Sequence, residues 1–460
     1  KLSIIKIQQL IFSILPDSWQ NGIFVRNYQP ISNKGWKYPV LVHTYKWHNM
    51  IQEFVNRHFF NLLIFTLIFG IILYDLIGFD YTDELCALAL FILFIFWMFR
   101  TPDWRINKAF LITICIFIFY LCYSFAINSN SKTAILADFT VQIKPYLAFF
   151  CVYSMAPNFS RIQKDLLKKI SLILWFCLLP VGLLGLINMQ YLTNIMGVPA
   201  YFAAAVIAVS LTYLFCSDFT TKDKCVFLIL LSLGLISGRS KFYGFFVFST
   251  VIIIYFSYTT RIKFNFKTIF ILILTVGIML VAVRSKIELY FIQSIVGDVE
   301  KNEIARYVLY ATSFDIFQDY FPLGSGFASF GTFYSGEYYS SIYEQYGIDN
   351  VWGMMKNEHS FIADTYYPSL AQFGITGVIL YALFWFYLLS KAFRFYRQSN
   401  NAKEFILFLL IICYFVIESI ADSTYTTHRG FFIMMLLGLI SSSMKTEIKN
   451  IKADENFTNR

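Results

Sequence analysis

Two stretches of this sequence gather side chains that can hold an anion and move a proton. In Ser237-Gly238-Arg239-Ser240-Lys241, two cations share a short turn whose backbone is freed by Gly238. An Arg there can grip phosphate oxygens through two parallel hydrogen bonds. The alternative is an interfacial pair snorkelling to lipid headgroups. The second stretch, residues 284–369, carries Arg306, the turn Pro322-Leu323-Gly324-Ser325-Gly326, His359 and Asp364. Neutral imidazole can accept a hydroxyl proton near neutral pH, and nearby arginines help keep it neutral. A solvated arginine and a surface histidine are the bland readings of Arg306 and His359. Gly324 and Gly326 lack the strand-before, helix-after setting of a dinucleotide loop, and no P-loop lysine follows, so they are expected to shape backbone and admit a sugar closely.

Carboxylates offer a different chemistry. Asp80, Asp83 and Glu84 form one acidic group and Asp298-Val299-Glu300 another; either suits metal-assisted transfer or is simply an exposed acidic loop. Lys144, beside Pro145, and Glu418 fall inside apolar runs, where an ionisable group is a functional suspect unless it pairs with backbone or with the other.

Something must position these groups, and composition says what. Of 460 residues, 58% are hydrophobic and only 14% charged, more apolar surface than a soluble core absorbs. Recurrent apolar runs of 15 to 20 residues indicate helices, since barrel strands would be about 10 residues of alternating pattern. Twelve such runs are counted, at 59–78, 85–99, 109–127, 137–156, 170–188, 198–216, 225–238, 242–258, 268–283, 370–390, 404–420 and 430–444. The fold expected is an all-α polytopic membrane protein of about twelve transmembrane helices. Residues 1–58 form a basic lead-in whose first 15 residues suit a membrane-surface helix rather than a cleaved signal peptide. Spans one to nine fill 59–283, a large loop fills 284–369, spans ten to twelve fill 370–444, and 445–460 is a tail. The eight cysteines, without a CxxC pair, read as small apolar packing residues.

Charge orients the chain. With the N-terminus inside, alternate connections, lead-in and tail hold 27 of the 37 Lys and Arg, which puts both termini in the cytoplasm and the large loop outside. The net charge of +9 is therefore topological, and nucleic acid is not an expected partner. The ten exceptions are Lys132, Lys144, Arg239, Lys241, Arg284, Lys286, Lys301, Arg306, Lys356 and Arg429, each retained against the insertion bias. Within the loop, Asn302 can cap a helix running to about Tyr320, ended by Pro322 and Gly324. Arg306 shares a polar face with Asn302, Tyr310 and Ser313, while Ile304, Val308, Ala311 and Asp315 form another. A second helix is expected over 360–367, placing His359 low on the loop near the membrane.

Taken in order, the S-G-R-S turn at Arg239, the A-R-Y-V-L-Y helix at Arg306, P-L-G-S-G-F-A-S-F-G, and H-S-F-I-A-D-T-Y-Y-P-S-L-A-Q-F-G-I-T-G leading into a span resemble the bacterial O-antigen polymerase and O-antigen ligase superfamily. The resemblance covers about 230–390 in motif and the whole chain in topology. It implies a GT-C-like, metal-independent inverting glycosyltransferase without a cofactor, acting on undecaprenyl-diphosphate-linked sugars outside the bacterial cytoplasmic membrane. Arg239 and Arg306 would bind the diphosphate and His359 would activate the acceptor hydroxyl. Lys241, Tyr310, Gly324, Gly326, Asp364, Tyr366, Lys144 and Trp352 would complete the substrate site, the aromatic faces being suited to sugars. The implied partners are the lipid-linked oligosaccharide and membrane lipid, with a chain-length regulator and a flippase. The Tyr-rich 334–346 segment and Asp-Thr-Tyr-Tyr-Pro favour a polymerase; His359-Ser360 departs from the His-Asn frequent in ligases, which are the runner-up. A lipid-linked oligosaccharide flippase is the third reading, but related halves and short loops would be expected of it.

Overall fold

The computed structural model describes residues 39–78, 81–101, 107–258, 277, 301–399 and 401–458. Two compact units are distinguished, Lys1–Asn49 and Met50–Arg460; of the first, helical backbone is described over 39–49. The surface helix expected within 1–15, the span expected at 268–283, Asp80, Arg284, Lys286 and Asp298-Val299-Glu300 lie outside the described residues.

The architecture is all-helical, with no strand among the described residues. The long helices are α1 Pro39–Leu67, continued by a π turn Ile68–Ile72, then α2 Thr82–Arg100, α3 Lys108–Ile127, α4 Lys132–Met155 and α5 Arg161–Ile187. A short α6, Met189–Met196, leads to α7 Pro199–Cys216, α8 Thr221–Ser232 and α9 Ser240–Tyr258. The loop carries α10 Lys301–Asp319, α11 Phe333–Glu337 and α12 Ser341–Gln345, and the chain closes with α13 Gly374–Ser399, α14 Ala402–Glu418 and α15 His428–Thr458.

Nine helices among the described residues are long and apolar enough to cross a membrane, the first from Met50 to Ile72 rather than from residue 59. Two more of the twelve expected spans are shorter helices. The run at 225–238 is α8 followed by a 3-10 stretch Leu233–Ser237, started by a Thr220/Asp223 capping box and ended at Gly238 in the left-handed region. The run at 404–420 is the 17-residue α14. At ordinary rises these measure about 28 and 26 Å, close to a hydrocarbon thickness of about 30 Å.

Helix α7 is buried along nearly its whole length and α15 along two thirds of its span. Gly438 on α15 lets that helix close onto α4: a Cβ there would lie 2.7 Å from the Phe149 carbonyl oxygen. All eight cysteines are free, Cys86, Cys151 and Cys216 packed inside and Cys115, Cys122, Cys177 and Cys225 exposed.

The connections sort onto two ends of the bundle, in the alternation read from charge. At one end, Ser129 and Asn130, between α3 and α4, donate to Phe327 and Ala328 carbonyls of the loop. Gly197 packs on Asp75, and Lys241 bonds to the α14–α15 connection. At the other end, Gln52 donates to the Met155 and Ala156 carbonyls, Lys403 to Ser217, and Lys168 pairs with Asp223.

The loop has a core of its own, built from Ala305, Leu309, Ile316, Phe330, Ile342, Tyr343, Ile348, Met354, Ile362 and Ala371. Helix α10 matches the expected extent, and its buried residues include Ala305, Leu309, Thr312 and Ile316. The helix expected over 360–367 is instead a series of turns into a 3-10 helix Pro368–Phe373. The reason is tertiary: the Tyr366 and Tyr367 amides both donate to the Ser419 carbonyl instead of to carbonyls of their own turn.

Candidate functional site

Arg306 projects from the first turns of α10 onto Asp364, 58 residues away in sequence, and pairs with it through Nε and Nη2. Its guanidinium carbon lies 5.9 Å from the centroid of Phe361, a ring in turn 5.3 Å from that of Trp352. Burial pushes the Asp364 carboxyl up, against the pull of Arg306. One turn on, Tyr310 donates to the Ile420 carbonyl at 2.7 Å, and burial raises its hydroxyl well above the usual range. Arg306 and Tyr310 therefore face the α14–α15 connection.

That connection holds the rest of a charge array. Lys241 Nζ donates to Glu418 Oε2 at 2.7 Å and to the Ala421 carbonyl at 3.1 Å, and stands 3.7 Å from Asp422 Oδ2. Asp422 accepts from both terminal nitrogens of Arg429, at 3.3 and 3.1 Å, and Arg429 also lies 4.4 Å over the Tyr201 ring. Burial alone would raise the Asp422 carboxyl, but Arg429 and Lys241 outweigh it and hold it at about 2. Asp364 feels both Asp422 and Lys241, so Arg306, Lys241 and Arg429 belong to one array, balanced by Asp364, Asp422 and Glu418. Arg239 adds a further cation two residues before Lys241. It is exposed on the turn after Gly238, and its guanidinium has no ion pair among the described residues.

His359 stands in a separate pocket. Nε2 is 3.8 Å from Glu337 Oε2, Nδ1 is buried without a hydrogen bond, and the ring packs against Gly336, where a Cβ would approach to 3.0 Å. A cavity of about 330 Å³ opens beside it, lined by Phe333, Asn357, Glu358, Ser360, Ile362 and Ala363. No hydrogen bond or ion pair among the described residues joins His359 to the charge array. The link is the segment 352–364, which carries Trp352, His359, Phe361 and Asp364, so one run of turns serves both places.

Other expected site residues have structural settings. Lys144 and Glu418 do pair, though not with each other: Lys144 is buried between Asp83 and Glu84. Those carboxylates are thus partnered by an ammonium group rather than lying in an open acidic loop. Gly324 and Gly326 adopt φ of +82° and +86°, and a Cβ would lie 2.2 Å from the Gly374 amide at the first and 2.7 Å from Ser129 Cβ at the second. Where a sugar was expected, the chain approaches itself. Tyr366 is buried among Tyr146, Tyr381 and Tyr425 and lines a small, mainly apolar cavity with Phe327, Phe373 and Phe384; it does not face the loop surface.

Three residues escaped the sequence reading. Asp422 and Tyr201 complete the Arg429 setting, whose signal was Arg429 itself, a cation on the disfavoured side. Asp138, buried in α4, accepts from the Ala328 amide at 2.7 Å and ties the loop to the bundle; a carboxylate inside an apolar run was its available sign.

No protein-family model matches the chain, and no curated protein is similar to it.

Proposed function

We propose that this chain is a membrane-embedded glycosyltransferase that polymerises lipid-diphosphate-linked oligosaccharide repeat units, undecaprenyl diphosphate being the carrier, into a surface polysaccharide. The observation that carries this reading is the Arg306–Asp364 pair, in one charge array with Lys241 and Arg429 where a folded, tyrosine-rich loop meets the bundle. Guanidinium and ammonium groups at the end of a membrane bundle suit a diphosphate whose lipid remains in the bilayer.

The step is an inverting displacement. His359 Nε2 accepts the proton of an acceptor hydroxyl as its oxygen bonds to the anomeric carbon. The bond from that carbon to the diphosphate breaks with its electron pair, and the charge released falls on Arg306 and Arg239. Donors placed where leaving-group charge develops contribute several kcal/mol, and a positioned base about 10²–10⁴ in rate. The cations supply the neutralisation that a metal ion gives in other transferases, so the reaction is metal-independent in this scheme.

Separate His359→Ala, Arg239→Ala and Arg306→Ala chains, expressed at wild-type level, test it by glycan length on gels. Each is expected to collapse the ladder to single lipid-linked repeats exposed on the outer leaflet. Repeats trapped on the inner leaflet would indicate flipping instead, full-length polymer left on its lipid carrier would indicate ligation, and unchanged ladders would remove the enzyme altogether.

A further inference from the structure

Among the described residues, none covers an aromatic stripe along helix α10. Phe314 is 63% exposed and Phe321, just past the helix, 72%. With the half-buried Phe317 between them, their spacing of three and four residues puts them along one side. Aromatic rings exposed to this degree on a loop domain call for a covering phase.

The anchoring of α10 says which phase. At its middle, Tyr310 donates to the carbonyl of Ile420, just beyond the end of α14, where Val416 and Ile420 are exposed. At its end, the Pro322 carbonyl accepts from the Thr376 amide in the first turn of α13, and the Gly324 carbonyl accepts from Tyr123 in the last turn of α3. Exposed apolar side chains lie near these contacts, Ile375 and Ile379 in the first two turns of α13 and Phe119 one turn before Tyr123 on α3. The helix is therefore anchored across the bundle end between the termini of apolar helices, each of which bears exposed apolar side chains close to its anchor.

We propose that the Phe314–Phe317–Phe321 stripe lies in the boundary between headgroups and acyl chains, so that α10 is an interfacial helix and the loop rests on the bilayer. The occupant is membrane lipid. Amphipathic helices bury an apolar face about 5–10 Å into that boundary, and the described acidic groups of α10, Asp315 and Asp319, are off the stripe, Asp319 accepting from Tyr346.

The test uses the full chain in phosphatidylcholine vesicles, with p-benzoylphenylalanine placed singly at Phe314, Phe321, the membrane-span position Ile379 and the exposed loop position Asp349. Irradiation with radiolabelled phosphatidylcholine is expected to give lipid adducts at Phe314 and Phe321 comparable with Ile379 and several-fold above Asp349. Because the probe is a substituted Phe at exposed positions, folding is preserved, and a monodisperse elution profile verifies it. Yields at the Asp349 level would overturn the proposal, as would adducts to a second copy of the chain or to another protein, which would assign the stripe to a protein interface. None of these readings depends on enzymatic activity.

Discussion

Asp422 shows how far a single side chain can govern the charge array. Its carboxyl, ordinarily near 3.8, is depressed to about 2 because Arg429 and Lys241 outweigh burial. A depressed carboxyl contributes stability above its unfolded value and loses it as pH falls through the folded one, so this contribution is intact above about pH 4 and gone near pH 2. Asp422→Asn leaves Arg429 buried without a counter-charge, and a loss of about 3 kcal/mol at pH 7 is expected. Denaturation in detergent should show the variant well below wild type at pH 7 and the gap closing toward pH 2; a gap independent of pH would refute the assignment. The sequence pointed to Arg429 because the charge pattern assigned it to the disfavoured side of the membrane, and to Arg306 through its motif. It did not point to Asp422, and although it singled out Asp364, it did not pair that carboxylate with Arg306. Asp364 lies 58 residues from Arg306, and no local rule pairs groups across that distance.

At the scale of elements, what was legible followed local chemistry. Helix α10 was readable because breakers at Pro322 and Gly324 end it, and α8 because an apolar run marks it, though the run showed neither its start at Thr221 nor the capping box there. The turns over 360–367 were not, since their amides are claimed by a carbonyl on another connection, at Ser419. The Gly324 turn is the joint between loop and bundle. Its φ is +82°, and a Cβ on this residue would stand 2.2 Å from the Gly374 amide nitrogen. Gly324→Ala therefore faces both backbone strain and a backbone collision, and destabilisation above about 1 kcal/mol is expected. Limited proteolysis should cut the variant in 333–346 much faster than wild type, while fragments of the bundle persist. Equal cleavage would mean that the joint tolerates a side chain.

For the molecule as a whole, the grouping of connections onto two ends is the strongest link between sequence and structure. Basic residues alone assigned each connection to a side, and contacts such as Lys241 with Ala421 and Lys403 with Ser217 join connections of like assignment. Single cysteines at Asn194 and at Lys164, in a cysteine-free background, should react with a membrane-impermeant maleimide from opposite faces of the membrane, Asn194 from the face bearing the loop. Labelling of both from one face would break the topology. Of the twelve runs, those at 225–238 and 404–420 fold as short helices: the 12-residue α8 with its five-residue 3-10 extension, and the 17-residue α14, each reach nearly a bilayer's depth.

Each cation of the array, Arg306, Lys241 and Arg429, already holds a carboxylate. If a diphosphate is the guest, Asp364 and Asp422 are its stand-ins, keeping the seats warm between turnovers. A newcomer gains only the difference between two anions, and each departing product is pushed out by residues that never left the room. Such a centre would trade tightness for turnover, which suits the polymerase proposed above.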